Sequence, residues 1–321
     1  MARLTHRLKR ILFLPFLCLV LFTLYLLYFE KLRENRAQQP ASTAIDPAPS
    51  FIFGLISDLQ FADNSDGVNL DNGRPRFYRD SLRKLGAAVA DWRRAGVEMV
   101  IDIGDVLDAR SGRRRRQLAD LDALELQLRN LTVPYYALLG NHDLDNFDFA
   151  GWRRLSSSTS GQRKIRRTMA TSWSSPPRPS DFRFSFSPHP NLRFIMLNSY
   201  AEGVLGNNSA TASSSEAWRL LRRHNPNTNP YSAEGLGVGA AARRWVAHNA
   251  ALGAEQLVWL GEELSKAEAG GEKVIVFAHV PLHPEVIRPV SMFKLFIYNF
   301  FNLHTDNFHL VFPILPVLRS P

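Results

Sequence analysis

The 321 residues contain a single cysteine, Cys18, which sits inside an apolar run near the amino terminus. Within this sequence an intrachain disulfide and a thiolate metal site are therefore both excluded, and any bound metal must be held by oxygen and nitrogen. Acidic residues are also in short supply, 30 against 39 lysines and arginines, giving a formal net charge of +9. The basic excess falls in separate blocks rather than on one interleaved face, so nucleic acid is not the expected partner. An anionic small molecule or an anionic membrane surface accounts for it. Residues 151–180 contain no Asp or Glu and are rich in Ser, Arg and Pro, which reads as a mobile surface insertion. No internal repeat is visible. Hydrophobic residues make up 45% of the chain, enough for a globular core in one large domain or two small ones.

What is present begins with the apolar run itself. Ile11 to Tyr28 carries no charge, with Pro15, Cys18 and Thr23 as its mildest members. It approaches the ~20 residues that span a bilayer and exceeds the ~7–15 of a signal-peptide core. Arg3, Arg7, Lys9 and Arg10 precede it, so the amino terminus is expected on the cytoplasmic side. The expectation is a basic tip and membrane anchor over 1–29, a stalk over 30–50 and a catalytic domain over 51–285, lumenal or extracellular. Secretion after signal cleavage is the alternative, with Ala41–Ala44 offering small residues for the cut. The sequons at Asn130 and Asn207 agree with either location.

From Phe51 onward short apolar runs alternate with helical spacing. Strands are expected at Phe51–Ile56, Met99–Ile103, Tyr135–Leu139 and Lys273–Ala278. Helices are expected over about 77–95, over Leu118–Leu131 and over Glu255–Ala267, and a hairpin at Phe182–Ser187 and Leu192–Leu197. Strand–helix–strand alternation is the parallel α/β signature. Each of the four strands is followed at once by polar residues: Asp58 and Gln60, Gly104-Asp105, Gly140-Asn141-His142-Asp143, and His279. Open α/β sheets keep their sites at this carboxyl edge. Carboxylates, amides and imidazole converging there suit a pair of divalent ions, and paired ions suit attack on phosphorus. Asp58 and Gln60, two apart, would share one strand face.

These motifs, in this order, resemble the calcineurin-like metallophosphoesterases. Three segments narrow the resemblance to the manganese-dependent ADP-ribose/CDP-alcohol diphosphatases: Ile56–Asp63, with Gln60 where most of the superfamily has His; Arg76-Phe77-Tyr78-Arg79; and His224-Asn225-Pro226-Asn227-Thr228. The resemblance runs from about Phe51 to Pro284 and implies an α/β/β/α sandwich. It implies that Asp58 and Gln60 bind one ion, Asn141 and His279 the other, and that Asp105 bridges both. It places His142 beside the leaving group as acid or charge stabiliser, with His224 and Asn225 toward substrate. A neutral amide in place of imidazole favours Mn²⁺ over Zn²⁺, with Fe and Mg as further options. The implied reaction is hydrolysis of a nucleotide pyrophosphate; a phosphomonoesterase, a lipid-phosphate phosphatase or a non-catalytic binding form are the alternatives.

The departure is at the carboxyl end. The superfamily closes its site with Gly-His-x-His, and no such motif follows His279; His283, His304 and His309 lack its context. From about Val286 the chain turns aromatic, with Phe293, Phe296, Phe300, Phe301, Phe308 and Phe312. Residues 286–321 therefore read as an atypical hydrophobic tail on a fold truncated at its carboxyl end, with the second sheet incomplete and its edge bare. The oligomeric state is left open.

Overall fold

In the computed structural model the described residues are 51–68, 73–157, 165, 182–206, 216–237 and 244–282, with the backbone of 308–311. The expected anchor and stalk, the Asn207 sequon and most of the expected tail lie outside them. No helix among the described residues is long and apolar enough to cross a membrane.

Two sheets form the centre. In the first, β1 (Phe53–Ile56), β4 (Met99–Asp102) and β5 (Tyr135–Ala137) run parallel in the order β1-β4-β5. In the second, β6 (Phe184–His189) and β7 (Leu192–Met196) form an antiparallel hairpin, and β8 (Lys273–Phe277) joins β7 in parallel. β9 (Phe308–Val311) then pairs in parallel with β8. This corrects one expectation: the edge of β8 is covered by a strand drawn from the aromatic tail. A small ribbon, β2 (Gly67–Val68) and β3 (Pro75–Arg76), completes the strands.

The sheets pack face to face. Met99, Ile101, Ile103 and Leu138 of the first meet Phe194, Met196 and Phe277 of the second in one apolar layer. Its rings interlock edge-on: Phe194 lies 5.1 Å from Phe53 and 4.9 Å from Phe277 at 68° and 69°, the geometry the ring quadrupole favours.

Helices cover the outer faces. α1 (Asp80–Ala95) turns Leu85 and Val89 inward, with Asp80 in its first turn and Arg93 and Arg94 in its last, as the helix dipole prefers. α3 (Gln117–Leu128) adds Leu121, Leu124 and Leu128. α7 (Ala254–Ala269) buries Leu257, Leu260 and Leu264 beside Val274 and Val276 of β8. Because β4 is covered on both sides, all four of its residues are buried, Asp102 included. The result is a helix–sheet–sheet–helix sandwich.

Shorter helices fill the connections: α2 (Ala109–Arg113), α4 (Asn141–Asn146), α5 (Phe149–Ser157) and α6 (Glu216–His224). The stretch expected to be a surface insertion therefore begins as helix. Within it, Trp152 is fully buried, its indole N–H donating to the Asp143 carbonyl at 3.0 Å, and Ile165 is buried too.

Candidate metal centre

The strands stop short of the polar residues, and the backbone shows why. Asp58, Gln60 and Asp105 have φ of 55°, 43° and 60°. These left-handed values are costly for any residue bearing a Cβ and recur at functional sites. The alternation expected to put Asp58 and Gln60 on one strand face is thus replaced by two tight turns beyond β1. They are held by backbone bonds that extend the β1/β4 ladder: Asp58 N to Gly104 O at 3.0 Å, Gln60 N to Asp105 O at 2.8 Å, Phe61 N to Val106 O at 3.0 Å.

The third loop closes onto the second through glycine. Gly104 has φ 105°, and a Cβ there would lie 2.6 Å from Gly140 N, while a Cβ on Gly140 would run into the Asp105 carboxylate. Asp143, fully buried, staples the two loops by accepting from Asp105 N at 2.7 Å, Gly140 N at 2.9 Å and Leu107 N at 3.2 Å. Burial, then the charge of Asp105, pushes its carboxyl up to about 7.

Asp105, 1% exposed, is the centre of the arrangement. Its Oδ1 accepts from His142 N at 2.8 Å and its Oδ2 from Gln60 Nε2 at 3.1 Å. The same amide donates to Asp58 Oδ1 at 3.1 Å. Burial, followed by the nearby charge of Asp58, holds the Asp105 carboxyl well above the ordinary range. Two carboxylates facing each other take the amide protons; a cation between them takes the amide oxygen instead. The Gln60 oxygen here accepts from Arg76 of β3, which also faces Asp108 at 3.5 Å.

His279 arrives from the end of β8. Its Nδ1 donates to the Ile103 carbonyl at 2.9 Å, which leaves a lone pair on Nε2 in the neutral ring. That nitrogen faces Asn141 Oδ1 at 3.3 Å and Asp105 Oδ1 at 3.6 Å. An imidazole nitrogen, an amide oxygen and a carboxylate oxygen converging in this way could hold a cation, and a backbone-tied imidazole is how ligating histidines are oriented. Tyr200 reaches Asn141 Oδ1 from the far side at 3.5 Å. Counting only His, Cys, Asp and Glu, no group of three or more among the described residues could hold an ion. The set depends on the amides of Gln60 and Asn141. With those counted, an all-oxygen-and-imidazole set fits divalent ions of the Mn²⁺ kind.

His142 faces the same space without joining the ligand set. Ala109 N donates to its Nδ1 at 3.3 Å. Burial brings the imidazole down to about 4, with the charge of Asp108 opposing and those of Arg76 and His279 assisting. A neutral ring that accepts at Nδ1 carries its proton on Nε2, from which it can donate a hydrogen bond.

Other expectations fare differently. Asn225 is buried, and its amide nitrogen donates to the carbonyls of Pro230, Ser232 and Trp245 at 3.3, 3.1 and 2.7 Å. Its side-chain oxygen also accepts from Asn227 N at 3.0 Å, so the side chain closes the loop. His224 is exposed and stacked on Trp245 at 3.9 Å. Asn130 is exposed in the turn after α3. Residues the sequence reading did not single out are Asp143, Asp145, Tyr200 and Tyr231, while Arg76 entered only as part of a motif. Asp143 was legible as the fourth member of the tetrad; Tyr231 gave no signal beyond its closeness to His-Asn-Pro-Asn.

The profile of the family described as calcineurin-like phosphoesterase matches residues 51–300. The chain belongs to this family, and so to the metal-dependent hydrolases of phosphoester or anhydride bonds. Among curated proteins it is similar to the manganese-dependent ADP-ribose/CDP-alcohol diphosphatase of Danio rerio, 33% identical over 76% of this chain and 74% of the relative. The Mus musculus protein of the same name is 32% identical over 79% and 73%. A solved dimetal phosphatase from Danio rerio superposes with a TM-score of 0.70 at 30% identity, covering 83% of this chain and 81% of that one.

Proposed function

We propose that this chain hydrolyses the pyrophosphate bond of nucleoside diphosphate conjugates of the ADP-ribose or CDP-alcohol type, using Mn²⁺. The observation that carries the reading is the convergence of His279 Nε2 on Asn141 Oδ1 at 3.3 Å and on Asp105 Oδ1 at 3.6 Å, from three separate strand ends. The names and coverage of the relatives supply the substrate class.

In this reading Asp58 and Gln60 would hold one ion, Asn141 and His279 the other, and Asp105 would serve both. The ions supply an activated water and the positive charge that phosphoryl transfer requires. The residues do the rest. Buried Asp105 fixes the spacing of the two half-sites through bonds to both flanking loops. Arg76, donating to Gln60 and 3.5 Å from Asp108, sets a positive charge beside the site. His142, neutral, would donate a hydrogen bond from Nε2 to the leaving phosphate oxygen and so stabilise its charge.

The direct test is a panel of ADP-ribose, CDP-alcohols, a phosphomonoester and a lipid phosphate, assayed with Mn²⁺, Zn²⁺ and Mg²⁺. Turnover of the first two with Mn²⁺ supports the proposal. Preference for either of the last two moves the chain to a different substrate class, and metal binding without any turnover makes it a binding form.

We also propose that residues 11–28 anchor the domain in a membrane with the catalytic part lumenal or extracellular, supported by the charge-free run and the basic residues before it. Exposure of Asn130 leaves its sequon open to glycan attachment. Full digestion of the domain by protease added to sealed microsomes would refute this topology.

A further inference from the structure

Arg76 is not the only cation beside the centre. Arg110, in α2, donates its backbone N–H to Asp108 Oδ1 at 2.9 Å. The other oxygen of Asp108 faces Arg76 at 3.5 Å, and the amide just before, Ala109 N, meets His142 Nδ1 at 3.3 Å. Arg110 is thus anchored between that imidazole and the arginine that reaches Gln60. Its guanidinium carbon lies 4.9 Å from the centroid of the Tyr78 ring, and that of Arg76 lies 5.9 Å from the same centroid. Tyr78 is 3% exposed, so the platform under both cations is fixed. The arginines differ in what else they hold. Arg76 is engaged by Gln60 and Asp108. Arg113, one turn further along α2, acts on Asp145, whose carboxylate also accepts from the Tyr231 hydroxyl at 3.3 Å. The half-buried guanidinium of Arg110 has neither a carboxylate nor a hydrogen-bond acceptor among the described residues. On its β2 side the neighbour is Gly67, where a Cβ would lie 3.7 Å from Arg110 Nη2, so the head is left uncovered.

We propose that Arg110 binds the second phosphoryl group of the diphosphate, the one that leaves, and so sets a preference for diphosphates over single phosphoryl esters. The inference rests on the diphosphatase reading of the centre. The paired ions would answer the charge of the attacked phosphoryl group, while its neighbour keeps negative oxygens of its own and needs a separate partner. Arg110 stands on the side where the leaving group meets His142. Cation–π attraction to Tyr78 holds the charge in place without a hydrogen-bond acceptor, which leaves the N–H fork available for two parallel bonds to phosphate. A pre-placed guanidinium also loses little freedom when it makes them.

The test compares Arg110→Ala and Arg110→Lys with the unaltered full chain in Mn²⁺, on ADP-ribose and on bis(4-nitrophenyl) phosphate, which carries one phosphoryl group. Losing charged hydrogen bonds in Arg110→Ala should lower kcat/KM for ADP-ribose about a hundredfold and reduce its ratio to the diester by more than about tenfold. Arg110→Lys keeps the charge without the fork and should fall between. Calorimetry supplies a readout without turnover: the alanine variant should bind α,β-methylene-ADP, whose P–C–P bridge resists hydrolysis, about tenfold more weakly, with a smaller change for AMP. Equal losses on both substrates and both ligands would mean that the side chain only supports Tyr78, and would overturn the proposal. An unchanged chain-to-variant ratio would overturn it too. If the unaltered chain cleaves the diester and not ADP-ribose, the diphosphatase reading falls and takes this proposal with it. If ADP-ribose is cleaved and its advantage survives Arg110→Ala, the proposal alone falls.

Discussion

Asp105 and His142 are neighbours in space with different duties, and alanine separates them. Asp105→Ala removes the carboxylate that serves both half-sites and should abolish binding of two ions, seen by calorimetry and metal content. His142→Ala should keep both ions and slow turnover by ~10²–10⁴-fold, the scale of losing a group that acts on the leaving oxygen. Equal metal loss in the two variants would reassign the roles. Asp102 offers a third residue-level test. It is fully buried, bonded to the Tyr135 hydroxyl and to Gly104 N at 2.9 Å, and burial raises its carboxyl from 3.8 to about 7. A folded value above the unfolded one favours the protonated fold. Its contribution is therefore complete below pH 3.8 and is lost as pH rises through about 7. In chelator, urea midpoints should fall across that window. Asp102→Asn should flatten the slope, because the amide keeps the shape and cannot ionise.

At the scale of elements, the sheet–sheet layer is the most sensitive place to cut. Phe194 is fully buried among Phe53, Phe186 and Phe277. Phe194→Ala should cost about 3–5 kcal/mol in chemical unfolding, and a loss under 1 kcal/mol would mean that the layer closes over the gap. These strands and the three long helices were legible because apolar periodicity survives wherever one face is buried. Their ends were not. Strand spacing placed Asp58 and Gln60 on a shared face, whereas left-handed turns bring them together, and periodicity carries no sign of φ. The short helices were missed for a related reason: α2 and α4 are too brief to show a period. α5 was hidden by composition, since Ser and Arg around Trp152 look like solvent-facing loop until a partner buries the indole. For the site, order and strand-end placement marked the candidate ligands. They could not show that Asn225 turns inward or that Tyr231, far along the chain, comes back to Asp145.

For the whole molecule the open question is the second pair of imidazoles. The 321 residues contain no Gly-His-x-His, so in the proposed assignment each half-site would draw on one donor fewer than the superfamily pattern provides. Side by side, this chain and a form carrying a Gly-His-x-His strand after β8 should differ, the first binding Mn²⁺ more weakly and turning over more slowly. Identical affinities and rates would make those histidines dispensable. One feature of the loops bears on how the centre behaves in time. The amides of Asp58, Gln60 and Phe61 are bonded to the carbonyls of Gly104, Asp105 and Val106, in the loop that continues the central strand β4. Loops usually open on their own at little free-energy cost, and strands only when the domain does. In deuterium these three positions should therefore exchange as slowly as Val100 and Ile101, together with the fold rather than ahead of it. If so, the cradle has no local breathing mode, and an ion must enter or leave through a preformed mouth.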